Sequence, residues 1–414
     1  MRPLNAPRPF HTAIKATALN ATPQPATASP PPGPAISPAI RVTQATRLGR
    51  ATPLARGTRL AVVAVATLVA SCASERANGP KISEADAHTL IESSIPASVS
   101  DKPGWADDIY AAFTAQQIEP TKENVCAVVS VIEQESGFHV NSVVPGLPSI
   151  AWKEIHTRAD HSLVPWMLVK GALDLKSPTG RSYSDRIDRA KTEKDLSDIY
   201  EDFINSVPLG HTLFEDHNPI HTRGPMQVNV SFLKQTAAVR TYPYTVKGSL
   251  ADELFTRRGS VYFGVAHLLG YSAPYPRYLF RFADYNAGQY ASRNAAFQSA
   301  VGTLSSTPVV PDGALLPNNG DLGSTESAVR GLGGRLNISD DAIHSALQEG
   351  KSPDFERTPL YKRVFAIADQ AQKRPVPQAL VPRIKLQGPK LSRTLTTDWY
   401  AHRVDGRFQQ CLKK

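Results

Sequence analysis

The chain has 414 residues, with 46 Lys or Arg against 37 Asp or Glu and a formal net charge of +9. That length allows two or three domains. The excess of cations is local: residues 1–59 hold eight Lys or Arg and no acid, whereas after Cys72 38 cations face 37 anions. The near-neutral remainder excludes an electrostatic case for a nucleic-acid partner.

From Leu60 to Ala70 runs LAVVAVATLVA, an uncharged apolar stretch. It is too short to span a bilayer, which needs about 20 residues. A basic flank, a short apolar core and small residues after it describe a secretory signal peptide. Val69-Ala70-Ser71-Cys72 resembles the bacterial lipobox, whose Cys is diacylated and becomes the mature N-terminus. The alternative is an ordinary signal peptide with a chance Cys. Residues 1–71 are therefore read as leader and lipoprotein signal peptide, and 72–104 as a tether with a short helix. With Cys72 acylated, Cys126 and Cys411 remain. In an oxidising compartment they either pair, or Cys126 stays a buried, inert thiol.

Ser83 with Asp86 three residues on marks a helix start, carrying Leu90 and Ile91 and stopping near Pro96. Trp105, Ile109, Ala112 and Phe113 have helical spacing. Thr121 caps a third helix through Val125, Val128, Val129 and Ile132 to Glu135; its apolar residues cover more than one face, which predicts a central, buried helix. Gly137 falls where a left-handed terminus favours a residue without a Cβ. Residues 149–223 read as a long insertion containing an amphipathic helix from about Glu193 to Phe203. Residues 251–271 are helical, Tyr271–Tyr285 is aromatic-rich, and a weakly helical piece runs to about Thr303. A loop at Ser305–Gly320 precedes a short helix near Asp340–Gln348. Thr358-Pro359 opens a stronger helix. Residues 374–414 read as a Pro-rich basic tail, extended over the surface. Little strand signal remains, so the fold is expected to be mostly α. Residues 105–373 form the principal domain, with insertions at about 149–223 and 304–350.

The chemistry centres on Glu135-Ser136-Gly137. A glycosidic bond needs a proton on its leaving oxygen and stabilisation of an oxocarbenium-like centre. The negative end of the helix dipole and burial both disfavour a second negative charge, so both are expected to raise the Glu135 pKa. Glu133 lies about 200° around the helix and cannot share that environment. Alone, the tripeptide would be a helix-end surface carboxylate.

Two later fragments, Gly224-Pro225-Met226-Gln227 and Tyr285-Asn286-Ala287-Gly288, follow in order. Together with Glu135-Ser136-Gly137-Phe138 they resemble the soluble lytic transglycosylases of the lysozyme-like superfamily, in an uncharacterised bacterial lipoprotein branch. A Thr and a Tyr three apart on a late helix, Thr358 and Tyr361, match a fourth element. The resemblance covers about 105–372. It implies a lysozyme-like fold that cleaves the MurNAc–GlcNAc bond of peptidoglycan without water, leaving a 1,6-anhydro-MurNAc end.

By the same resemblance Glu135 is the catalytic acid and later base, and Ser136 holds the Glu or the sugar. Gln227 offers a two-sided amide to an N-acetyl group, beside a packing residue, Met226. Tyr285 borders the acid, Asn286 supports the developing positive centre, and the Tyr361 hydroxyl lies near the acid. Pro225 replaces the family's Leu. Asp284 replaces a small residue and is expected to be solvated, although in the cleft it would make a two-carboxylate hydrolase. His211, His217 and His221 with Asp216 are read as scattered loop polars, so no metal and no cofactor are expected. The implied partners are peptidoglycan strands and, through the lipid on Cys72, the outer membrane at its periplasmic face. The competing readings are an inactive cell-wall-binding lipoprotein and a hydrolytic muramidase.

Overall fold

The computed structural model describes residues 82–162, 164–206, 218–317, 320–386 and 394–414. The leader, Cys72, the start of the tether, His211, Asp216 and His217 lie outside them. Ser83 accepts the Asp86 N–H and opens α1 (Glu84–Ser94). Ile91 and Ile95 of this segment are fully buried against α2 (Lys102–Ala115) and α3 (Lys122–Glu135). The short helix expected in 72–104 is present, and its buried face, at Ala87, Ile91 and Ile95, packs on the core rather than hanging as part of a tether. Thr121 caps α3 through the Asn124 N–H. From Val125 to Ile132 every residue of α3 is buried, as expected for a central helix.

Helices α4 (Leu147–Ser162), α5 (Trp166–Leu173), α6 (Tyr183–Arg189) and α7 (Glu193–Ser206) gather their own apolar cluster around Leu147, Tyr183, Ile187 and Ile199. A two-stranded antiparallel ribbon follows, β1 (Thr222–Arg223) with β2 (Val228–Asn229), pairing Arg223 with Val228 across a four-residue turn. Next come α8 (Val230–Val239), α9 (Leu250–Glu253), α10 (Arg257–Leu269) and α11 (Tyr278–Ala287). Their apolar faces join α1–α3 in the main core.

A second core surrounds Phe297, Phe355 and Val364. It is built from α12 (Ala291–Leu304), α13 (Ser324–Arg330), α14 (Gly333–Leu336), α15 (Asp340–Gln348) and α16 (Pro359–Gln372). The weak amphipathicity of α12 has a physical reason: it is enclosed nearly all round, with Arg293, Asn294 and Gln298 buried beside its alanines. A helix without a solvent face has no polar stripe to display.

The extended tail is not what forms at the far end of the chain. A second ribbon, β3 (Lys385–Leu386) with β4 (Leu395–Thr396), leads into α17 (Thr397–Leu412). Thr396 caps it, and Tyr400, Ala401, Val404, Phe408 and Cys411 make a buried stripe at helical spacing. This stripe packs on α3 and α11. Each large apolar side chain so buried stabilises the fold by about 1.5–3 kcal/mol, which overrides the Pro-rich, basic composition upstream. Cys411 forms a disulfide with Cys126 of α3, their Cα atoms 5.6 Å apart. The described residues are mostly helical. Among them, no helix is long and apolar enough to cross a membrane.

Candidate active site

Glu135 is the last residue of α3, and the chain turns sharply after it through Gly137 (φ 59°) and Phe138 (φ 67°). Its side chain is only 2% exposed. The Oε1 atom accepts a 2.6 Å hydrogen bond from the Tyr400 hydroxyl on α17. Tyr285 on α11 is the second phenol here, and it donates to the Met226 carbonyl at 2.6 Å. Burial first, and then the negative field of Glu135, raises Tyr285 and Tyr400 well above the usual tyrosine range. Both phenols stay protonated and serve as donors. Glu133 stands apart, partly exposed and 3.9 Å from Arg407.

One residue after Tyr285, Asn286 accepts a 2.8 Å hydrogen bond from the Thr397 hydroxyl. Thr397 and Tyr400 are three apart on one face of α17, so this helix supplies a partner to both Asn286 and Glu135. The turn between β1 and β2 brings in the remaining residues. Gly224 (φ 73°) admits no side chain, because a Cβ there would lie 1.7 Å from the Leu254 carbonyl. The Met226 N–H donates to Ser260 at 3.0 Å, and its side chain fills the space left by Gly264. Gln227, also at positive φ (48°), is thereby fixed beside Met226. Its amide is already engaged: Oε1 accepts from Thr222 at 2.9 Å and Nε2 donates to Glu193 of α7 at 3.0 Å.

Glu135, Tyr285 and Asn286 thus converge, with Met226 and Gln227 alongside. Three sequence expectations are corrected. The Ser136 hydroxyl turns back to the Ile132 carbonyl at 3.1 Å, satisfying its own helix end. Tyr361 belongs to the second core, packed on Phe355 and Phe365, and the hydroxyl on Glu135 is that of Tyr400. Asp284 is not solvated. It is fully buried and accepts from Tyr271 (3.0 Å), Tyr275 (2.7 Å), Tyr290 N–H (3.0 Å) and Ser292 N–H (2.6 Å). Burial pushes its pKa up to about 6 against the pull of these donors. His221 is exposed, and local desolvation lowers its pKa.

Sequence reasoning missed Tyr400 and Thr397. Their signal was present: a second Thr-x-x-Tyr pair, Thr397–Tyr400, at the same spacing as Thr358–Tyr361. Chemically, the arrangement is one water-poor carboxyl with a phenol bonded to it, a second phenol nearby and two amides at its edge. Such a group can give a proton to a polar leaving atom and take one back.

A match over residues 98–414, from just before α2 to Lys414, places the chain in the family described as "Protein of unknown function (DUF1615)", to which it belongs. The "Uncharacterized protein YaiW" of Escherichia coli (strain K12) is 44% identical over 358 residues, covering 86% of this chain and 98% of that protein. No solved structure matches the chain.

Proposed function

We propose that this protein is a peptidoglycan lytic transglycosylase with a lysozyme-like catalytic domain. The observation that carries the reading is the buried helix-end carboxyl of Glu135, bonded by Tyr400 and bordered by Tyr285 and Asn286. Glu135 protonates the oxygen of the MurNAc–GlcNAc bond as it leaves. The C6 hydroxyl of the same MurNAc attacks the anomeric carbon, and Glu135 takes that hydroxyl's proton, so one carboxyl serves both halves. The Tyr400 hydrogen bond favours the carboxylate formed in between. Asp284, saturated by four donors, supports this route over a two-carboxylate hydrolase. Digestion of purified sacculi followed by mass spectrometry tests it. Wild-type chain should release 1,6-anhydro ends and Glu135→Gln almost none, since an amide cannot exchange the proton. Wild-type turnover by that variant would end the proposal.

Anchoring belongs to the same reading: the lipobox at Cys72 supports acylation and residence on the periplasmic face of the outer membrane. Metabolic labelling with an alkyne fatty acid should mark the wild-type chain and not Cys72→Ser. One observation favours a second reading, a binding lipoprotein with an inert cleft: Glu193 occupies the Gln227 amide while Glu135 is 2% exposed.

A further inference from the structure

Beyond the N-terminal half of α11, away from Glu135, lies a cavity of about 400 Å³. Phe280 lines it, and Asn286 is six residues further along the same helix, or about 9 Å by helical rise. The volume falls in the range of ordinary small-ligand sites, roughly 300–1,000 Å³. Its walls are aromatic, from Tyr275, Phe280 and Tyr361, with Arg277, Arg293, Glu356 and Gln378 as polar groups.

The polar groups define what fits. Arg293 is 1% exposed and fixed by the carbonyls of Gly350 (2.7 Å) and Ser352 (2.8 Å), so it serves as a rigid wall. Glu356 lies 3.7 Å from it, its one ion pair among the described residues. Tyr361 is 7% exposed, and its hydroxyl has no partner among the described residues. That hydroxyl is not sealed from water but opens on the cavity, where a ligand oxygen can take the place of water on it. Arg293 is matched by Glu356 at 3.7 Å and Arg277 by Asp405 at 3.7 Å, so the charged groups at the cavity are paired off and neither an anion nor an ammonium group gains much by entering. A neutral ring with several hydroxyls gains on every side: carboxylate and Gln378 for its O–H groups, the Tyr361 hydroxyl for a ring or acetal oxygen, aromatic faces for its C–H groups.

The geometry points to a saccharide-binding site here, holding one neutral pyranose ring away from the Glu135 centre. The choice of ligand class rests on the glycan reading above, but binding is read apart from cleavage, so each can fail alone. The test is isothermal titration of the full chain, carrying Glu135→Gln to prevent turnover, with chitotetraose and with maltotetraose. Added to that background, Tyr361→Phe and Glu356→Gln should each weaken binding about fivefold or more, the loss of one hydrogen bond. Tyr361→Phe keeps the ring and its packing, so it guards against a folding artefact. Chitotetraose alone binding assigns the site to an N-acetylhexosamine strand, whereas binding of both assigns an unselective hexose site. Either outcome supports the proposal. No binding of either oligosaccharide, undiminished affinity in both variants, or a loss seen only with Gln227→Ala overturns it.

Discussion

Asp284 and Glu135 are both enclosed carboxyls, yet their surroundings give them different work. Asp284 ties Tyr271 and Tyr275 to the first turn of α12. Its folded-state pKa is about 6, against 3.8 ordinarily. Between those values the native chain binds more protons than the unfolded one. Asp284 therefore contributes stability that is complete below about pH 4 and lost as pH rises through about 6, on the order of 3 kcal/mol. In Asp284→Asn this slope should disappear from denaturant melts run between pH 4 and 7. The amide also turns an N–H toward an existing donor, lowering stability by about 1–3 kcal/mol. An unchanged slope would remove Asp284 from the account. Tyr400 acts on Glu135 in the opposite sense, because its bond favours the charged carboxylate. Tyr400→Phe should slow release of anhydro products about tenfold. It should also move the alkaline limb of the pH–rate profile upward, since Glu135 then keeps its proton to higher pH. A lower rate with an unmoved limb would make Tyr400 merely structural.

Among the elements, α7 reaches the site from outside the main core, through Glu193 on Gln227. Glu193→Ala should free the amide for an N-acetyl group and raise kcat/KM about fivefold, the equivalent of one hydrogen bond no longer displaced. A fall instead would place Glu193 in the working site. Helix α3, its cap at Thr121 and the turn at Gly137 were readable because burial, capping and positive φ all act within a few residues. The choice between α16 and α17 was not readable that way. Both begin with a Thr followed three residues on by a Tyr, and local spacing treats them alike. What separates them is long-range: packing on α11, and the disulfide from Cys411. The buried stripe of α17 was visible in principle, at Tyr400, Val404, Phe408 and Cys411, but the prolines and cations before it drew the reading toward an extended tail. Ser136 misled for a different reason. Its hydroxyl has an alternative acceptor within its own helix, which no sequence pattern ranks against a distant carboxyl.

For the molecule as a whole, the Cys126–Cys411 bond closes a sequence separation of 285 residues. By chain entropy such a closure stabilises by about 5 kcal/mol. Cys411→Ser should lower the melting temperature, and reductant should do the same to the wild-type chain alone. Activity should fall together with stability, because the helix that loosens is the one carrying Tyr400. Activity retained in a destabilised variant would separate the bond from the site. The same span has a consequence in time. Tyr400 is synthesised 265 residues after Glu135, which at 5–20 residues per second is a delay of roughly 15–50 s. Throughout that interval the carboxyl has no phenol to bond and Asn286 has no Thr397. On the proposed reading the centre is thus incomplete until α17, the last helix of the chain, has docked.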